Sequence, residues 1–402
     1  MKKLLVLSLL VLSISIAESQ KSENLALTPP MGWNSWNTFG CDINEELIKG
    51  IADAMVDNGL RDAGYEYLVL DDGWMAMERD ENGRLYGDPV KFPSGMKALG
   101  DYIHSKGLKF GIYNCAGFKT CAGYPGSRGY EYIDAQTYAD WGVDFLKYDW
   151  CNTEKLKAEG AYMTMRDALY ATGRPIVFSI CEWGDSDPWK WGKEIGHLWR
   201  VSGDIINCWD CEVGHGSWSS WGIWKIINMR KDIRKYAGPG HWNDLDMMEV
   251  GNDLTDAQNR SHFAMWSILA SPLIMGNDIR EASAETNKTL SNKGVIAVNQ
   301  DKLGIQGFRF SNEDNIETWI KPLANDDWAI VFVNLNEEDF ELKWDWLKHD
   351  MGDDINNKSI DFKNDICEIK DLFNNKNLGD TSKPLKAKIG VNDALMIRIT
   401  KK

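Results

Sequence analysis

The chain has 402 residues, a formal net charge of −15 and 43% hydrophobic residues, a balance typical of a folded globular protein. This composition excludes a disordered, collagen-like or multi-span membrane protein. The acidic charge also argues against nucleic acid or an anionic membrane as the main partner. The length allows one barrel-sized domain, alone or followed by a small second domain.

The first residues are predicted to be an export signal rather than part of the fold. Lys2 and Lys3 precede an apolar run over residues 4–16, and small residues around Ala17 provide a cleavage site. This arrangement is typical of a secretory signal peptide, and the apolar run is short for a membrane span. We therefore expect a mature protein that begins at residue 18 and is secreted or periplasmic.

Strand-like and helix-like segments then alternate along the chain. Strands are predicted over residues 31–36, 67–71, 109–114, 145–148, 176–182, 198–202, 241–247 and 273–276. Helices are predicted over residues 42–58, 94–105, 134–141, 153–171, 216–236, 255–269 and 282–298, the first opened by a capping box of Asp42 and Glu45. Eight strands alternating with helices indicate an α/β fold, a (β/α)8 TIM barrel. A doubly wound open sheet is the alternative, but no G-x-G-x-x-G sequence follows the first strand.

The character of the sequence changes after about residue 306. Short alternating apolar runs occur at residues 317–320, 329–333 and 394–399, separated by loops rich in Asn, Asp and Lys. Runs of this kind predict a small antiparallel β domain. The expected organisation is a signal peptide at 1–17, a barrel at 18–306 and a C-terminal β domain at 307–402.

Eight cysteines follow the predicted signal peptide, and an exported protein can oxidise them. Cys208 and Cys211 have C-x-x-C spacing, which allows a local disulfide, two free thiols or part of a zinc site. Neither a second C-x-x-C nor an H-x-x-x-H accompanies them, so a disulfide or free thiols are favoured and no metal is expected.

Carboxylates and aromatic residues recur where the predicted strands end, the edge at which TIM barrels carry their chemistry. These strand-end residues are Trp36, Asp71, Asp72, Tyr113, Lys147, Tyr148, Asp149, Cys181, Glu182, Trp183, Arg200, Asp204, Asp244, Asp246 and Met247. Several carboxylates at one barrel mouth, interleaved with aromatic rings, are what glycoside hydrolysis requires. Most of the nineteen tryptophans are nevertheless expected in the core or on helices, with Trp218, Trp221 and Trp224 on a helix surface.

Seven motifs of this chain, in their order, resemble those of glycoside hydrolase family 27, the α-galactosidases or melibiases. They are residues 27–36 (LTPPMGWNSW), 70–74 (LDDGW), 120–127 (TCAGYPGS), 146–151 (LKYDWC), 181–184 (CEWG), 199–204 (WRVSGD) and 239–247 (PGHWNDLDM). The resemblance covers about residues 26–310, and the tail is more loosely similar to the family's C-terminal β-sandwich. It implies a retaining enzyme that acts on terminal α-galactosyl groups of saccharides and uses no cofactor.

The resemblance also implies catalytic roles. Asp149 would be the nucleophile, and Lys147 would favour its ionised form from the same strand face. Asp204 would be the general acid and then the base, with a pKa raised by partial burial and by Asp149. The two carboxyl groups of a retaining pair are expected to lie roughly 5–5.5 Å apart. Arg200 would steady the ring and Asp204.

The remaining positions that match the family motifs would bind the sugar. They are Trp36, Asp71, Asp72, Tyr113, Cys121, Lys147, Cys181, Glu182, Trp183, Arg200 and Asp246. Asp71 and Asp72 resemble the pair that holds the 4-OH and 6-OH, and Trp36 and Tyr113 would form an apolar wall. Met247 would close the far rim with Asp246, unless Met247 and Tyr113 are plain core residues. Asp244 is expected to hold backbone amides.

Two positions bear on the substrate. Related α-N-acetylgalactosaminidases need small residues near C2, where this chain has the bulky Glu182, and a pentopyranose-cleaving relative would lack the carboxylate of Asp72. Both favour plain α-galactose. An α-N-acetylgalactosaminidase and a non-catalytic galactose-binding lectin remain the alternatives, although a lectin on this barrel predicts that Asp149 or Asp204 is missing.

The cysteines depart from the family pattern at one point. Many relatives have a Cys after the D-D pair that bonds a Cys in the first loop, whereas this chain has Gly73, which leaves Cys41 without that partner. Cys121 and Cys151 resemble a bridge that the family keeps. Cys181 is expected to be a free thiol in the sugar pocket.

Overall fold

The computed structural model describes residues 21–229 and 232–402. The predicted signal peptide, residues 1–17, lies outside these ranges and stays a prediction. Within them, no helix combines the length and the apolar character that crossing a bilayer requires.

Among its described residues, the barrel region contains ten strands and ten α-helices. The strands are β1 (Met31–Asn34), β2 (Tyr67–Val69), β3 (Lys109–Cys115), β4 (Phe145–Asp149), β5 (Val177–Cys181), β6 (Leu198–Arg200), β7 (Glu212–Gly214), β8 (Ser219–Trp221), β9 (Trp242–Asp244) and β10 (Leu273–Met275). The helices are α1 (Trp36–Phe39), α2 (Glu45–Asp57), α3 (Leu60–Ala63), α4 (Met96–Ser105), α5 (Glu131–Trp141), α6 (Ala158–Ala171), α7 (Ile223–Met229), α8 (Asp256–Ile268), α9 (Ala284–Leu290) and α10 (Lys293–Asn299).

Eight of these strands form a parallel sheet in the order β10-β1-β2-β3-β4-β5-β6-β9. A parallel bridge between Met248 and Met275 joins its two ends, so the sheet curls into a closed barrel. The strands are buried almost throughout because helices cover their outer side, which is why they appear in the sequence as continuous apolar runs. The predicted (β/α)8 barrel is confirmed.

Helix α2 begins differently from the prediction. The N-cap is Asn44, whose side chain accepts a hydrogen bond from the Leu47 amide, so the predicted Asp42–Glu45 capping box is wrong. Glu45 instead pairs with Lys49 one turn later and accepts a hydrogen bond from the Ser94 amide. The box does not form because Asn44 caps the helix and because Lys49, four residues after Glu45, binds the Glu45 carboxylate.

The predicted helix over residues 216–236 is also wrong. Strands β7 and β8 form an antiparallel hairpin, and among the described residues of this stretch the seven of α7 are α-helical, with a 3₁₀ turn at Arg234–Tyr236. Trp218 precedes β8, Trp221 lies on it and Trp224 lies on α7, so the three rings do not share a helix face. Similarly, the predicted helix over 282–298 is divided into α9 and α10, where Asn292 caps the second helix.

The C-terminal region is an antiparallel β domain. Its strands are β11 (Phe308–Glu313), β12 (Ile316–Pro322), β13 (Trp328–Asn334), β14 (Phe340–Trp344), β15 (Met351–Asp353), β16 (Lys358–Ile360), β17 (Cys367–Asp371), β18 (Lys376–Asp380), β19 (Leu385–Ile389) and β20 (Ala394–Lys401). Six of them pair in the order β11-β12-β13-β20-β17-β18, and β14 pairs with β19. The predicted β-sandwich domain is confirmed.

Period-two alternation along β13 explains how this domain attaches. Val331 and Val333 belong to the same apolar cluster as the barrel helices, whereas Ile330 and Phe332 point into the separate core of the C-terminal domain. Ion pairs from Arg260 to Asp393 and from Arg234 to Asp353 reinforce the contact. The second domain therefore packs against the barrel through its helices.

Candidate active site

Asp149 is the last residue of β4 and lies in register with Cys115 on β3 and Cys181 on β5. Its side chain is buried, and Oδ1 accepts a hydrogen bond of 2.8 Å from the Trp150 amide. Burial raises the pKa of Asp149 to about 7, while the positive charge of Lys147 lowers it and the negative charge of Asp204 raises it further. The carboxylate is thus held at the barrel mouth with one oxygen anchored.

Lys147 lies two residues before Asp149 on the same strand face. Its Nζ is 2.7 Å from Oδ2 of Asp71, which also accepts a hydrogen bond of 2.8 Å from Asn34. The Lys147 Nζ also lies over the Tyr113 ring. Burial lowers the pKa of Lys147, but the surrounding negative charges, led by Asp71, outweigh burial and raise it above its usual value. Lys147 therefore stays a cation among carboxylates.

Asp72 is enclosed by backbone donors. Its Oδ2 accepts a hydrogen bond of 2.8 Å from the Ala122 amide, and its Oδ1 accepts one from Gly73. Burial raises the pKa of Asp72, and the hydrogen bond from Ala122 opposes that shift. The loop after β3 therefore reaches across to the end of β2 and fixes this carboxylate.

That loop is tied to the segment just after Asp149 by a disulfide between Cys121 and Cys151, with an S–S distance of 2.01 Å. The two sulfurs and a carboxylate oxygen of Asp149 all lie within 4.8 Å of one another. The trio has the spacing of a metal site, but the sulfurs are bonded to each other and do not offer thiolate ligands. Tyr113 donates a hydrogen bond of 3.3 Å to Cys121 Sγ, so the ring is fixed beside the bridge.

The opposite side of the mouth is organised by Arg200 at the end of β6. Its buried Nη2 is 2.6 Å from Asp246 Oδ2 and 3.1 Å from Asp204 Oδ1. Asp246, at a φ of +84°, also accepts a hydrogen bond of 2.9 Å from the Ile205 amide, directly after Asp204. The Asp204 side chain is 40% exposed, which agrees with the partial burial predicted for it.

Glu182 follows β5 and is fully buried. Its Oε2 accepts hydrogen bonds from the amide and hydroxyl of Ser186, and burial raises its pKa to about 7. Its Oε1 has no hydrogen-bond partner among the described residues, so an acceptor is held ready in the interior. The next residue, Trp183, is half-buried at a φ of +59°.

Cys181 is a buried free thiol, and Arg200 Nη1 approaches its sulfur at 3.8 Å. Met247 and Asp244, the other two strand-end residues of uncertain role, have different surroundings. Met247 is 6% exposed and borders the narrow cavity inside the barrel, while Asp244 accepts a hydrogen bond of 2.9 Å from the Asp246 amide. Asp244 therefore holds the backbone that carries Asp246.

Trp36 opens the short helix α1 and is half-buried, with its amide donating to Asn34 Oδ1 at 2.9 Å. The next residue, Asn37, donates to buried Glu249, which also accepts from Asn252. Sequence reasoning gave no role to Asn34 or Glu249. Asn34 lies within the first motif and could have been found there, whereas Glu249 lies beyond every motif and carries no such signal.

Comparisons with known proteins show the family of the chain. The family model for α-galactosidase A matches residues 28–301, and that for the α-galactosidase C-terminal β-sandwich domain matches residues 313–399. An α-galactosidase A of Cellvibrio japonicus is 50% identical over 395 residues, covering 98% of this chain and 97% of that protein.

Two solved structures share the whole fold. α-Galactosidase I of Mortierella vinacea superposes with a TM-score of 0.87 at 36% identity, covering 94% of this chain and 98% of that chain. An α-galactosidase from Saccharomyces cerevisiae, solved with raffinose, gives a TM-score of 0.87 at 31% identity, with coverage of 96% and 99%.

Proposed function

The chain belongs to the α-galactosidase A family, glycoside hydrolase family 27, and is an α-galactosidase; from this premise we propose a retaining double displacement with Asp149 as nucleophile and Asp204 as acid/base. The observation that carries the proposal is the contrast between the two carboxylates. Asp149 is buried beside a cation, and Asp204 is partly open to solvent. A nucleophile needs an enclosed site, and a general acid must reach the departing oxygen.

In the first step, the free oxygen of Asp149 attacks the anomeric carbon while Asp204 protonates the glycosidic oxygen, and the carbon–oxygen bond to the leaving group breaks. In the second step, Asp204 removes a proton from water, which attacks the same carbon and releases Asp149. The Trp150 amide and Lys147 stabilise the Asp149 carboxylate, and Arg200 orients Asp204. Two carboxylates suffice, and the mechanism needs no cofactor.

We propose that the galactosyl group is held by the residues assembled around Asp149. Asp71 and Asp72 accept from sugar hydroxyls, Trp36 and Tyr113 supply apolar surface, and Cys121, Cys181, Trp183 and Asp246 complete the walls. The free Oε1 of Glu182 accepts from a hydroxyl near C2, and its bulk leaves no space for an acetamide. Since the yeast relative was solved with raffinose, we propose terminal α-galactosides of oligosaccharides as substrates.

We also propose that the enzyme is exported, because Lys2, Lys3 and the apolar run that follows precede the described fold. N-terminal sequencing of the protein recovered outside the cytoplasm should give Glu18 as the new first residue. Recovery of full-length protein in the cytoplasm alone would contradict export.

The two catalytic roles are separable by small-anion rescue. In Asp149→Ala, azide replaces the nucleophile and should yield β-galactosyl azide from nitrophenyl α-galactoside. In Asp204→Ala, azide attacks the intact galactosyl-enzyme and should yield α-galactosyl azide. Product configuration by NMR reports the outcome, and the same configuration from both variants would contradict the assignment.

Substrate choice is tested with paired nitrophenyl glycosides. The wild type should hydrolyse the α-galactoside and not the α-N-acetylgalactosaminide. Turnover of neither would contradict the enzyme, and equal turnover of both would contradict the role of Glu182.

A further inference from the structure

We propose that the β7–β8 hairpin carries a binding site for the leaving-group side of oligosaccharide substrates, with the ring of Trp218 as its platform. This inference rests on the proposed role of Asp204 and extends it to the part of the substrate beyond the galactosyl group. The second half of the hairpin, from residue 216, was predicted to be helix, and none of the seven family motifs includes the hairpin.

The hairpin is attached directly to the segment that bears Asp204. The Trp221 amide donates a hydrogen bond of 2.9 Å to the Asp204 carbonyl, and the Ile206 amide donates one of 3.0 Å to the Trp221 carbonyl. A side-chain carbon on Gly203 would lie 2.9 Å from Trp221 Nε1, so the strand packs tightly against the backbone before Asp204. The position of the hairpin and that of the acid are therefore linked.

The base of the hairpin is also fixed. A disulfide joins Cys208 and Cys211, the Gly222 amide donates to the Cys211 carbonyl at 2.8 Å, and the rings of Trp209 and Trp224 stack. A rigid support lowers the conformational entropy that binding would otherwise cost.

At the tip, an aromatic surface faces solvent. The Trp218 side chain is 52% exposed, and its ring stacks on His215 with centroids 4.1 Å apart and planes 25° apart. His215 Nε2 lies 2.9 Å from Ser220 Oγ, and the His215 amide donates to the Trp218 carbonyl, so both rings are held in place. Because His215 holds the indole by stacking on one face, a sugar ring can stack on the part that is open to solvent.

The position of Trp218 determines which part of the substrate it would meet. Trp218 lies three residues before Trp221, roughly 10 Å along an extended chain at about 3.3 Å per residue. Asp204 protonates the leaving group, and Asp204 is also the catalytic carboxylate that is open to solvent. A single sugar attached to galactose would stay near Asp204, so the platform serves a leaving group of two or more sugars.

Kinetics with substrates of increasing length test the proposal. Trp218→Ala should lower kcat/KM for raffinose about five- to tenfold and leave nitrophenyl α-galactoside within about twofold, because only raffinose reaches the ring. Melibiose, whose leaving group is a single sugar, should stay within about twofold like the nitrophenyl substrate. Tyr170→Ala, which removes another aromatic ring that is 47% exposed but lies on α6, should change none of these values.

Two outcomes would overturn the inference: equal losses on raffinose and on the nitrophenyl substrate, or no loss on either. A failure of the proposed function is distinguishable from both, because the wild type would then turn over no nitrophenyl α-galactoside at all. Thermal unfolding of each variant shows whether the hairpin substitution changes the fold.

Discussion

In the barrel, charged groups cluster at the strand ends, whereas in the C-terminal domain buried charged groups such as Lys321 and Asp353 bond to the barrel and the separate core is apolar. Asp149 and Arg200 are buried, Lys147 is half-buried, and each is paired with or opposed by a neighbouring charge. Other ion pairs of the C-terminal domain, such as Lys388 with Asp339, are solvated. Burying charge costs free energy, which the barrel offsets by pairing these groups with opposite charges.

The difference indicates that the barrel mouth serves activity and that the C-terminal domain serves stability. The barrel mouth keeps strained and charged groups, including Asp246 at positive φ, because a preorganised site stabilises a charged transition state. The C-terminal domain has a separate apolar core and supplies a second apolar face to the barrel helices. Variants in the two regions should therefore separate activity from stability.

The largest effect is expected at Asp149. Asp149→Asn should reduce kcat by at least about 10⁴-fold, as loss of a nucleophile does. Its pKa of about 7 lies above the unfolded value, so the wild type loses stability as pH rises from about 4 to 7. The uncharged variant should lose none, and its advantage in the free energy of unfolding should grow across that range.

Denaturant unfolding between pH 4 and 8 measures that advantage, with Asp339→Asn on the surface as the matched control. If Asp149→Asn kept its activity, or unfolded more easily than the wild type at pH 7, the claim that the barrel mouth serves activity at the expense of stability would be wrong.

The next effect is expected in the C-terminal core. Phe332→Ala in β13 should lower the free energy of unfolding by about 3–5 kcal/mol, because it leaves a cavity in a fully buried position. Activity below the unfolding transition should stay near that of the wild type. Ile366→Ala, at a side chain that is 48% exposed, is the control and should cost little.

A direct loss of kcat in folded Phe332→Ala, with unfolding unchanged, would mean that the C-terminal domain contributes to the site rather than to stability. Calorimetry and initial rates on the same preparation distinguish the two results.

The smallest effect is expected where the regions meet. Lys321 on β12 is fully buried with its Nζ donating to the Val298 carbonyl, and burial lowers its pKa to about 7. Since the unfolded lysine titrates near 10.5, stability is greatest above that value and is lost as pH falls towards 7. Lys321→Met should abolish this dependence, a difference on the order of 2 kcal/mol between pH 7.5 and 9.5.

Chemical denaturation of both proteins at the two pH values, taken as a double difference, isolates Lys321 from other groups that titrate there. Lys388→Met provides an exposed control. If the free energy of unfolding changed equally with pH in the wild type and in Lys321→Met, folding would not alter the titration of Lys321 and the prediction would be wrong.

Much of the fold could be predicted from the sequence because apolar periodicity is a local property. The starts of β1, β2, β3, β4, β6 and β10 coincide with those predicted. Predicted strands extended too far at their ends, where Asp71 and Asp246 leave the sheet and bond to side chains and loop amides instead. Such partners come from distant parts of the chain and leave no local pattern.

The hairpin shows where the local signal fails. Trp218, Trp221 and Trp224 recur every three residues, a spacing that fits a helix face. Gly216 at a φ of +90° and the bond from Trp221 to Asp204 instead favour an extended pair. Within the site, Asp149 and Asp204 could be proposed from motifs, whereas the roles of Asn34 and Glu249 depend on contacts that only the folded chain brings together.

The pairing of β1 with β10 also determines when during synthesis the enzyme can be completed. Met31 lies opposite Leu273, a separation of 273 − 31 = 242 residues, and the bridge to Met275 finishes the ring. Closing so long a loop is slow, and it must wait until just over two-thirds of the 402 residues have been made. A nascent chain that ends before residue 276 therefore lacks the closed ring, and under the proposed export it would reach a secretion channel with the barrel still open.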